Sequence, residues 1–347
     1  MALLLPGLTA LLALVFALAL LDQWRERRGG YQLIWALGML FFAVASGSEL
    51  LAALGGWSEP LYRAWYLTGA VLTAGWLGLG TCFLLSRTRF GYAVALCLFL
   101  AGLFTFLAAR RLTEPAGEAP ILYFIAAGVL AAAVAVETYF QNERWPALAA
   151  LAVGGASLVG LVLVLTVSLP GPGYALDPRT GLPTGELFPP ALRLLTPFMN
   201  ITGSLALILG ALFSAYVFMP KKRALTYTLD AEQSGDSFLF NLFIAPVAIT
   251  VNFVASLPGA IKALLTGRIH SRVPATLLIA LGALVVAGAD TLARLGSTDY
   301  FQAAKLVGVI LLLLGFLFSI EVFREIRIPF TQRVLRAERR EVAGPGA

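Results

Sequence analysis

Residues 31–54 read YQLIWALGMLFFAVASGSELLAAL, an apolar stretch whose one charged residue is Glu49. A helix needs about 20 predominantly apolar residues to cross a bilayer, so this stretch is long enough to do so. A charge inside the hydrocarbon costs free energy, which makes Glu49 a candidate functional residue. The same pattern recurs along the chain, and the other segments of this kind are 2–22, 62–86, 90–109, 121–140, 146–168, 195–219, 274–295 and 301–323.

The overall composition agrees with this pattern. The chain has 347 residues, of which 59% are hydrophobic and 13% are charged, whereas soluble globular proteins carry roughly 25% charged residues. So few charged residues cannot cover a water-exposed surface. We therefore predict an all-α, polytopic integral membrane protein. Residues 1–323 form a single transmembrane helical domain in this prediction, with about nine transmembrane helices.

The segment 237–258 is apolar and long enough to cross, but it contains Asn241, Pro246 and Asn252. If it crossed, the basic residues of 259–273 and of the C-terminal tail would lie outside the cell. That would contradict the excess of Lys and Arg that cytoplasmic loops of membrane proteins carry. We therefore predict that 237–258 is an interfacial or re-entrant segment and not a tenth crossing.

The same rule orients the chain. A basic cluster at 25–28 follows the first apolar segment, so we expect an N-terminus outside, a first helix that is not cleaved and a cytoplasmic C-terminus. Residues 220–273 then form a cytoplasmic segment, and 324–347 form a basic cytoplasmic tail. We expect a surface helix over 324–341, interrupted at Pro329.

The largest predicted extracytoplasmic feature is the loop 169–194. It contains six prolines, which exclude a long helix. The loop is therefore stiff. Two interpretations remain open at this point, a cap over the outer face of the bundle and a plain connector.

Polar residues from several predicted helices share one depth in this topology. Glu49 and Asp290 lie about five residues before the outer ends of their helices. Lys305 and Asn200 lie about five residues after the outer ends at which their helices begin. All four are therefore roughly 7–8 Å below the outer interface. Opposite charges at one depth can pair, which lowers the cost of burying either. We interpret this layer as a site that binds a small polar or charged ligand or relays a proton. Its candidate ligand-binding residues are Glu49, Tyr66, Asn200, Asp290, Arg294 and Lys305.

A structural interpretation of the same residues stays open. Lys305 lies near a helix end and can extend to the headgroups, and Asp290 precedes Arg294 by one helical turn, which makes a local ion pair. A second acidic layer is predicted near the inner ends of the helices, formed by Glu137 and Glu321. No ionisable residue connects the two layers through the middle of the bilayer.

Known catalytic and metal-binding patterns are missing from the sequence. His270 is the one histidine, which excludes a bis-histidine haem site and a three-histidine zinc site within this chain. It also leaves no Ser-His-Asp arrangement near the outer layer. Cys82 and Cys97 lie in apolar segments without metal-ligand spacing. We therefore predict no catalytic residues, no metal and no cofactor.

For function, we expect a transport or small-ligand-binding protein with a polar site near the outer face. One alternative is a non-catalytic subunit or scaffold of a larger membrane complex, which binds protein partners through the basic cytoplasmic face. Another is a membrane enzyme acting on a lipid or isoprenoid.

Membrane lipids are expected partners and nucleic acid is not. Lysine supplies only four of the 25 basic residues, an arginine bias typical of GC-rich genomes. We expect the protein to be integral to a bacterial plasma membrane.

Overall fold

The apolar segments fold as helices in the computed structural model, which describes residues 3–112, 114–140, 142–178, 180–225, 245–266, 269–270, 272–294, 298–318, 325–327 and 334–337. The helices, in chain order, are α1 (Leu4–Arg27), α2 (Gly30–Gly55), α3 (Glu59–Trp65), α4 (Thr73–Leu84), α5 (Gly91–Ala108), α6 (Ala119–Tyr139), α7 (Trp145–Thr166), α8 (Pro190–Phe218), α9 (Ala245–Leu265), α10 (Arg272–Arg294) and α11 (Thr298–Phe318).

Helices α3 and α4 belong to one continuous unit, because the π-helical segment Tyr66–Leu72 joins them without a break. We call this unit, Glu59–Leu84, the third span. Within the described ranges, ten helices are long and apolar enough to cross a membrane: the third span, α1, α2 and α5 to α11. The chain is therefore a multi-pass helical membrane bundle, and the predicted fold class is confirmed.

The helices alternate between two ends of the bundle, which we name by what they carry. The basic end carries the turns 85–90 and 140–144, the segment 220–225 and the finish of α1, whose last turn contains Arg25 and Arg27. The opposite end carries the loop 167–189 between α7 and α8, and we call it the loop end. Helix α2 finishes at the loop end and α8 finishes at the basic end.

Helix α9 does not carry the chain to the loop end. Phe218 finishes α8, and its ring stacks on His270 at a centroid distance of 5.0 Å. The guanidinium of Arg272, the first residue of α10, lies 4.2 Å from the centroid of the same ring. The chain thus leaves the basic end after α8 and returns to it before α10. This supports the prediction that 237–258 is not a tenth crossing, although 237–244 lie outside the described residues.

The buried face of α9 is polar and small, and it is formed by Ala248, Asn252, Ser256 and Ala260, each one helical turn from the next. The Asn252 side chain accepts hydrogen bonds from the backbone N–H groups of Ala224 and Leu225 and donates one to the Leu225 carbonyl. These bonds satisfy the non-helical backbone that follows α8. The outward side of α9 exposes large apolar residues, which suits contact with lipid. They include Val247, Val254, Ile261, Leu264 and Leu265.

Three apolar clusters fill the described part of the bundle, and α8 contributes to each. The first joins the third span with α5, α6, α7 and α8, and the second joins α1, α2, α10 and α11 with one side of α8. The third is smaller and joins the end of α8 to α9 and the start of α10. In the second cluster the Phe316 ring of α11 lies 5.0 Å from Phe16 and 4.7 Å from Trp35, measured between centroids. Helices α1 and α2 are thereby packed against α11 toward the basic end of the bundle.

The third span and α8 pack at backbone distance. A Cβ atom added to Gly203 would lie 2.0 Å from the Ala74 carbonyl oxygen, and one added to Gly78 would lie 2.5 Å from the Gly203 carbonyl oxygen. Only glycine permits this approach. Small residues at helix contacts are typical of membrane bundles, where close packing provides much of the association energy.

The loop 167–189 packs onto the loop end of the third span. Phe188 is 1% exposed. Its ring stacks on Tyr62 at a centroid distance of 5.2 Å and contacts Tyr66 in a tilted arrangement at 4.2 Å. The Tyr62 hydroxyl donates a hydrogen bond to the Thr184 carbonyl. These contacts favour a cap over a plain connector, since a connector would not bury its own aromatic side chain.

The described parts of the tail are strands and not a helix. Strand β1 (Glu325–Arg327) pairs antiparallel with β2 (Val334–Ala337), with Glu325 opposite Ala337. The prediction of a helix over 324–341 is therefore wrong for these residues. Pro329 falls between the two strands, where its missing N–H and fixed φ oppose a continuous helix. The rest of the tail lies outside the described residues.

Candidate functional site

A buried ion pair joins α2 to α11 near the loop end. The Lys305 ammonium nitrogen lies 2.9 Å from Glu49 Oε1 and 2.7 Å from Glu49 Oε2. Glu49 is 7% exposed and Lys305 is 6% exposed. Glu49 precedes the end of α2 by six residues, which corresponds to about 9 Å along the helix axis. Both charges are therefore removed from water, and each neutralises the other.

Two neutral donors complete the carboxylate's hydrogen bonding. The Gln302 amide nitrogen donates to Glu49 Oε2 at 2.9 Å, and the Trp65 indole nitrogen donates to Glu49 Oε1 at 3.1 Å. Gln302 lies one helical turn before Lys305 on α11, and Trp65 is the last residue of α3. Three segments of the fold thus meet at one carboxylate. A buried charge is tolerated when its pairing is this complete.

Aromatic rings surround the ammonium group. The Lys305 nitrogen lies 5.1 Å from the ring centroid of Phe301 and 5.8 Å from that of Phe42. Phe301 precedes Lys305 by one turn of α11, and Phe42 precedes Glu49 by two turns of α2. A cation within about 6 Å of a ring face is attracted by the negative charge of that face. The ammonium therefore has neutral partners besides the carboxylate.

Two polar atoms beside the pair lack partners. Gln302 Oε1 and Ser46 Oγ are buried, and neither makes a hydrogen bond in the described part of the chain. Ser46 precedes Glu49 by three residues, so both side chains lie on one side of α2. Buried polar atoms are usually paired, and an unpaired acceptor loses free energy. The site therefore has unused hydrogen-bonding capacity next to the carboxylate.

The π-helical segment orients the third span around the site. The Thr68 carbonyl accepts two hydrogen bonds there, one from the Thr73 backbone N–H and one, at 2.7 Å, from the Thr73 hydroxyl. Single π-helical turns are often found at functional sites. Trp65 precedes the segment and bonds to Glu49 of α2, whereas Tyr66 begins it and bonds to Thr196 of α8 at 2.9 Å.

The structure brings two of the six predicted ligand-binding residues together, Glu49 and Lys305. Tyr66 lies apart from them, in the contact between the third span, α8 and the loop 167–189. Asn200 is half-buried on α8 and makes no hydrogen bond within the described ranges. The side chains of Asp290 and Arg294 lie outside the described residues.

Of the predicted inner layer, Glu137 is near the basic end of α6, and its Oε2 atom is buried without a hydrogen-bond partner among the described residues. Glu321 also lies outside the described residues.

Sequence reasoning missed Gln302 and Trp65. Gln302 had a usable signal, because it precedes Lys305 by three residues and must share its side of α11. Trp65 carried only the signal of an interfacial aromatic residue, and its adjacency to Tyr66 gave no means of choosing between them. Cys82 and Cys97 are buried free thiols, as their apolar surroundings predicted. The described residues contain no group of three or more His, Cys, Asp or Glu side chains that could hold a metal ion.

No family model, curated protein or solved structure matches this chain. The arrangement around Glu49 is therefore interpreted from its chemistry alone. It offers a desolvated carboxylate with four hydrogen bonds, a flexible counter-ion and two unused polar atoms.

Proposed function

We propose that this membrane protein binds, and by exchange between the two ends of the bundle transports, a small ligand that carries a positively charged amine. Glu49 is the group that recognises the amine, and Lys305 occupies its place when the ligand is absent. The observation that carries the proposal is the buried Glu49–Lys305 pair with its neutral partners Trp65 and Gln302. The loop end faces the outside in this proposal, because the opposite end is rich in arginine and lysine.

The two charges differ in their freedom to move. Glu49 has a short side chain that Trp65 and Gln302 hold in place, whereas Lys305 has a long flexible stem and begins seven residues into α11. A lysine at this depth can extend its ammonium toward the headgroups. When the pair opens, the carboxylate therefore stays and the ammonium leaves. The vacated position next to Glu49 then suits a cation.

The unpaired atoms beside the carboxylate support an amine over a metal ion or a ligand anion. A primary ammonium has three N–H donors, and three acceptors are available to it: Glu49 and Ser46 Oγ on α2 and Gln302 Oε1 on α11. The rings of Phe42 and Phe301 add cation–π attraction for the same charge. An anion would instead have to displace Glu49 from three donors, which costs more.

The test is ligand binding by purified protein in detergent or nanodiscs, measured as a thermal shift against a panel of small amines, carboxylates and neutral polar compounds. We expect at least one amine to raise the melting temperature. The double variant Glu49→Leu with Lys305→Met removes both charges together, so that neither is left unpaired, and should lose this response. Glu118→Gln is the matched control, because it removes an exposed carboxylate at the loop end.

The outcomes separate the possibilities. Loss of the shift in the double variant and its retention in Glu118→Gln support the proposal. Retention of the shift in a folded, monodisperse double variant overturns it, because the amine then binds elsewhere. A response to carboxylates alone would also overturn it, since the ligand would then replace Glu49 at Lys305.

A further inference from the structure

A cavity of about 440 Å³ opens at the basic end, far from Glu49. Two turns and the finish of α8 form its walls. The first turn, between α4 and α5, contributes polar residues, and the second, between α6 and α7, contributes an amide and a carboxylate. The residues that carry the argument are Arg87, Arg89, Asn142, Glu143, Phe213 and Val217.

The cavity contains charges of both signs. Arg87 and Arg89 come from the first turn, and Glu143 comes from the second, with Arg87 Nε 3.5 Å from Glu143 Oε2. Both side chains of that pair are largely exposed, at 83% and 63%, so the pair is weak and open to a competing ligand. A ligand with a phosphate for the guanidinium groups and an ammonium for the carboxylate would match this arrangement.

The cavity also has an apolar wall, so its ligand should carry an apolar group beside the charged ones. Phe213 and Val217 belong to the last turns of α8, and they give the cavity one apolar wall. Trp145 supports the floor, because its indole nitrogen donates to the Ser86 carbonyl at 2.9 Å. Both turns lie at helix ends, where a membrane-spanning helix reaches the headgroup region. The cavity thus lies where a headgroup is near both charged and apolar protein surface.

We infer that this cavity binds the headgroup of a membrane phospholipid that carries a phosphate and a primary ammonium, as in phosphatidylethanolamine. The phosphate contacts Arg87 and Arg89, the ammonium contacts Glu143, and the first methylenes of an acyl chain lie against Phe213 and Val217. The site is independent of the proposed function, since it is at the opposite end of the bundle from Glu49 and Lys305.

The experiment measures lipid binding to delipidated full-length protein in detergent. Phosphatidylethanolamine, phosphatidylglycerol and phosphatidylcholine are added separately, and soluble phosphoethanolamine tests whether the acyl chains are needed. We expect phosphatidylethanolamine to bind most tightly, because only it offers both phosphate and primary ammonium among the three lipids. Phosphoethanolamine should bind at least tenfold more weakly, since it lacks the apolar contact.

Variants localise the binding. Arg87→Gln and Glu143→Gln should each weaken phosphatidylethanolamine binding by about tenfold, the size expected for one charge-assisted hydrogen bond. Arg144→Gln is the control, because it removes an exposed arginine from the same turn that does not line the cavity. Both exchanged residues are exposed, so the variants should fold. Equal binding of the three lipids, or equal effects of Arg87→Gln and Arg144→Gln, would overturn the inference.

Discussion

Trp65 and Tyr66 are consecutive residues of the third span, yet their side chains form hydrogen bonds with two different helices. The Trp65 indole nitrogen lies 3.1 Å from Glu49 Oε1 on α2, and the Tyr66 hydroxyl lies 2.9 Å from the Thr196 hydroxyl on α8. The Tyr66 ring also contacts Phe188 of the loop 167–189 in a tilted arrangement. The start of the π-helical segment therefore contacts both the ion pair and the loop 167–189.

The first prediction concerns the ion pair itself. Glu49→Leu or Lys305→Met alone leaves one charge without its counter-ion, so each should lower the free energy of unfolding. We expect a loss of about 3–5 kcal/mol for Lys305→Met and a smaller loss for Glu49→Leu, because Lys305 can extend its ammonium toward the headgroups. The double variant Glu49→Leu with Lys305→Met removes both charges and should recover most of that loss. Thermal or denaturant unfolding in detergent measures all three, and additive effects of the single variants would show that the charges do not interact.

The ion pair also shows how far the sequence could predict the site. Glu49 and Lys305 were identified because charges inside apolar segments are rare and costly, and the alternation of nine crossings placed them at one depth. Their contact depends on which sides of α2 and α11 face each other. That is decided by packing around Phe16, Trp35 and Phe316, which hydropathy does not reveal.

Tyr66 illustrates a different limit. The sequence analysis placed Tyr66 at the same depth as Glu49, but its side chain contacts Thr196 of α8 and not the ion pair. A wider turn has no signature in a run of apolar residues, so a regular helix was the natural expectation.

The helical spans themselves were predicted closely, because bilayer thickness sets their length. The tail was predicted poorly, because local composition does not decide between helix and hairpin there.

The second prediction concerns the contact between α8 and the third span. Gly203→Ala places a methyl group against the Ala74 carbonyl, where a Cβ atom would be 2.0 Å away. The helices must separate, and overpacking of this kind costs about 1–3 kcal/mol. Gly154→Ala is the control, since its added Cβ meets nothing within 4 Å. We expect a lower melting temperature for the first variant and an unchanged or higher one for the second. Equal melting temperatures would contradict the close approach.

The third prediction concerns the loop 167–189. Phe188→Ala removes a ring that is 1% exposed and packs against Tyr62 and Tyr66, so it should destabilise the loop by about 3–5 kcal/mol. Limited proteolysis should then cut within the loop faster than in the wild type. Leu176→Ala, at a residue 37% exposed in the same loop, should change the rate little. If both variants are cut at the wild-type rate, the loop is not held by Phe188.

The fourth prediction concerns whether α9 crosses the membrane. Because Phe218 contacts His270 and Arg272, the residues before and after α9 must lie on the same side of the membrane. The pairing of Glu49 with Lys305 requires the same result, since a tenth crossing would place Lys305 at the basic end. We test this with single cysteines at exposed positions, Lys221→Cys and His270→Cys, after Cys82 and Cys97 are replaced by alanine. An impermeant maleimide should label both from one side, and Glu118→Cys at the loop end should react only from the other. Labelling of Lys221→Cys and His270→Cys from opposite sides would show that α9 crosses.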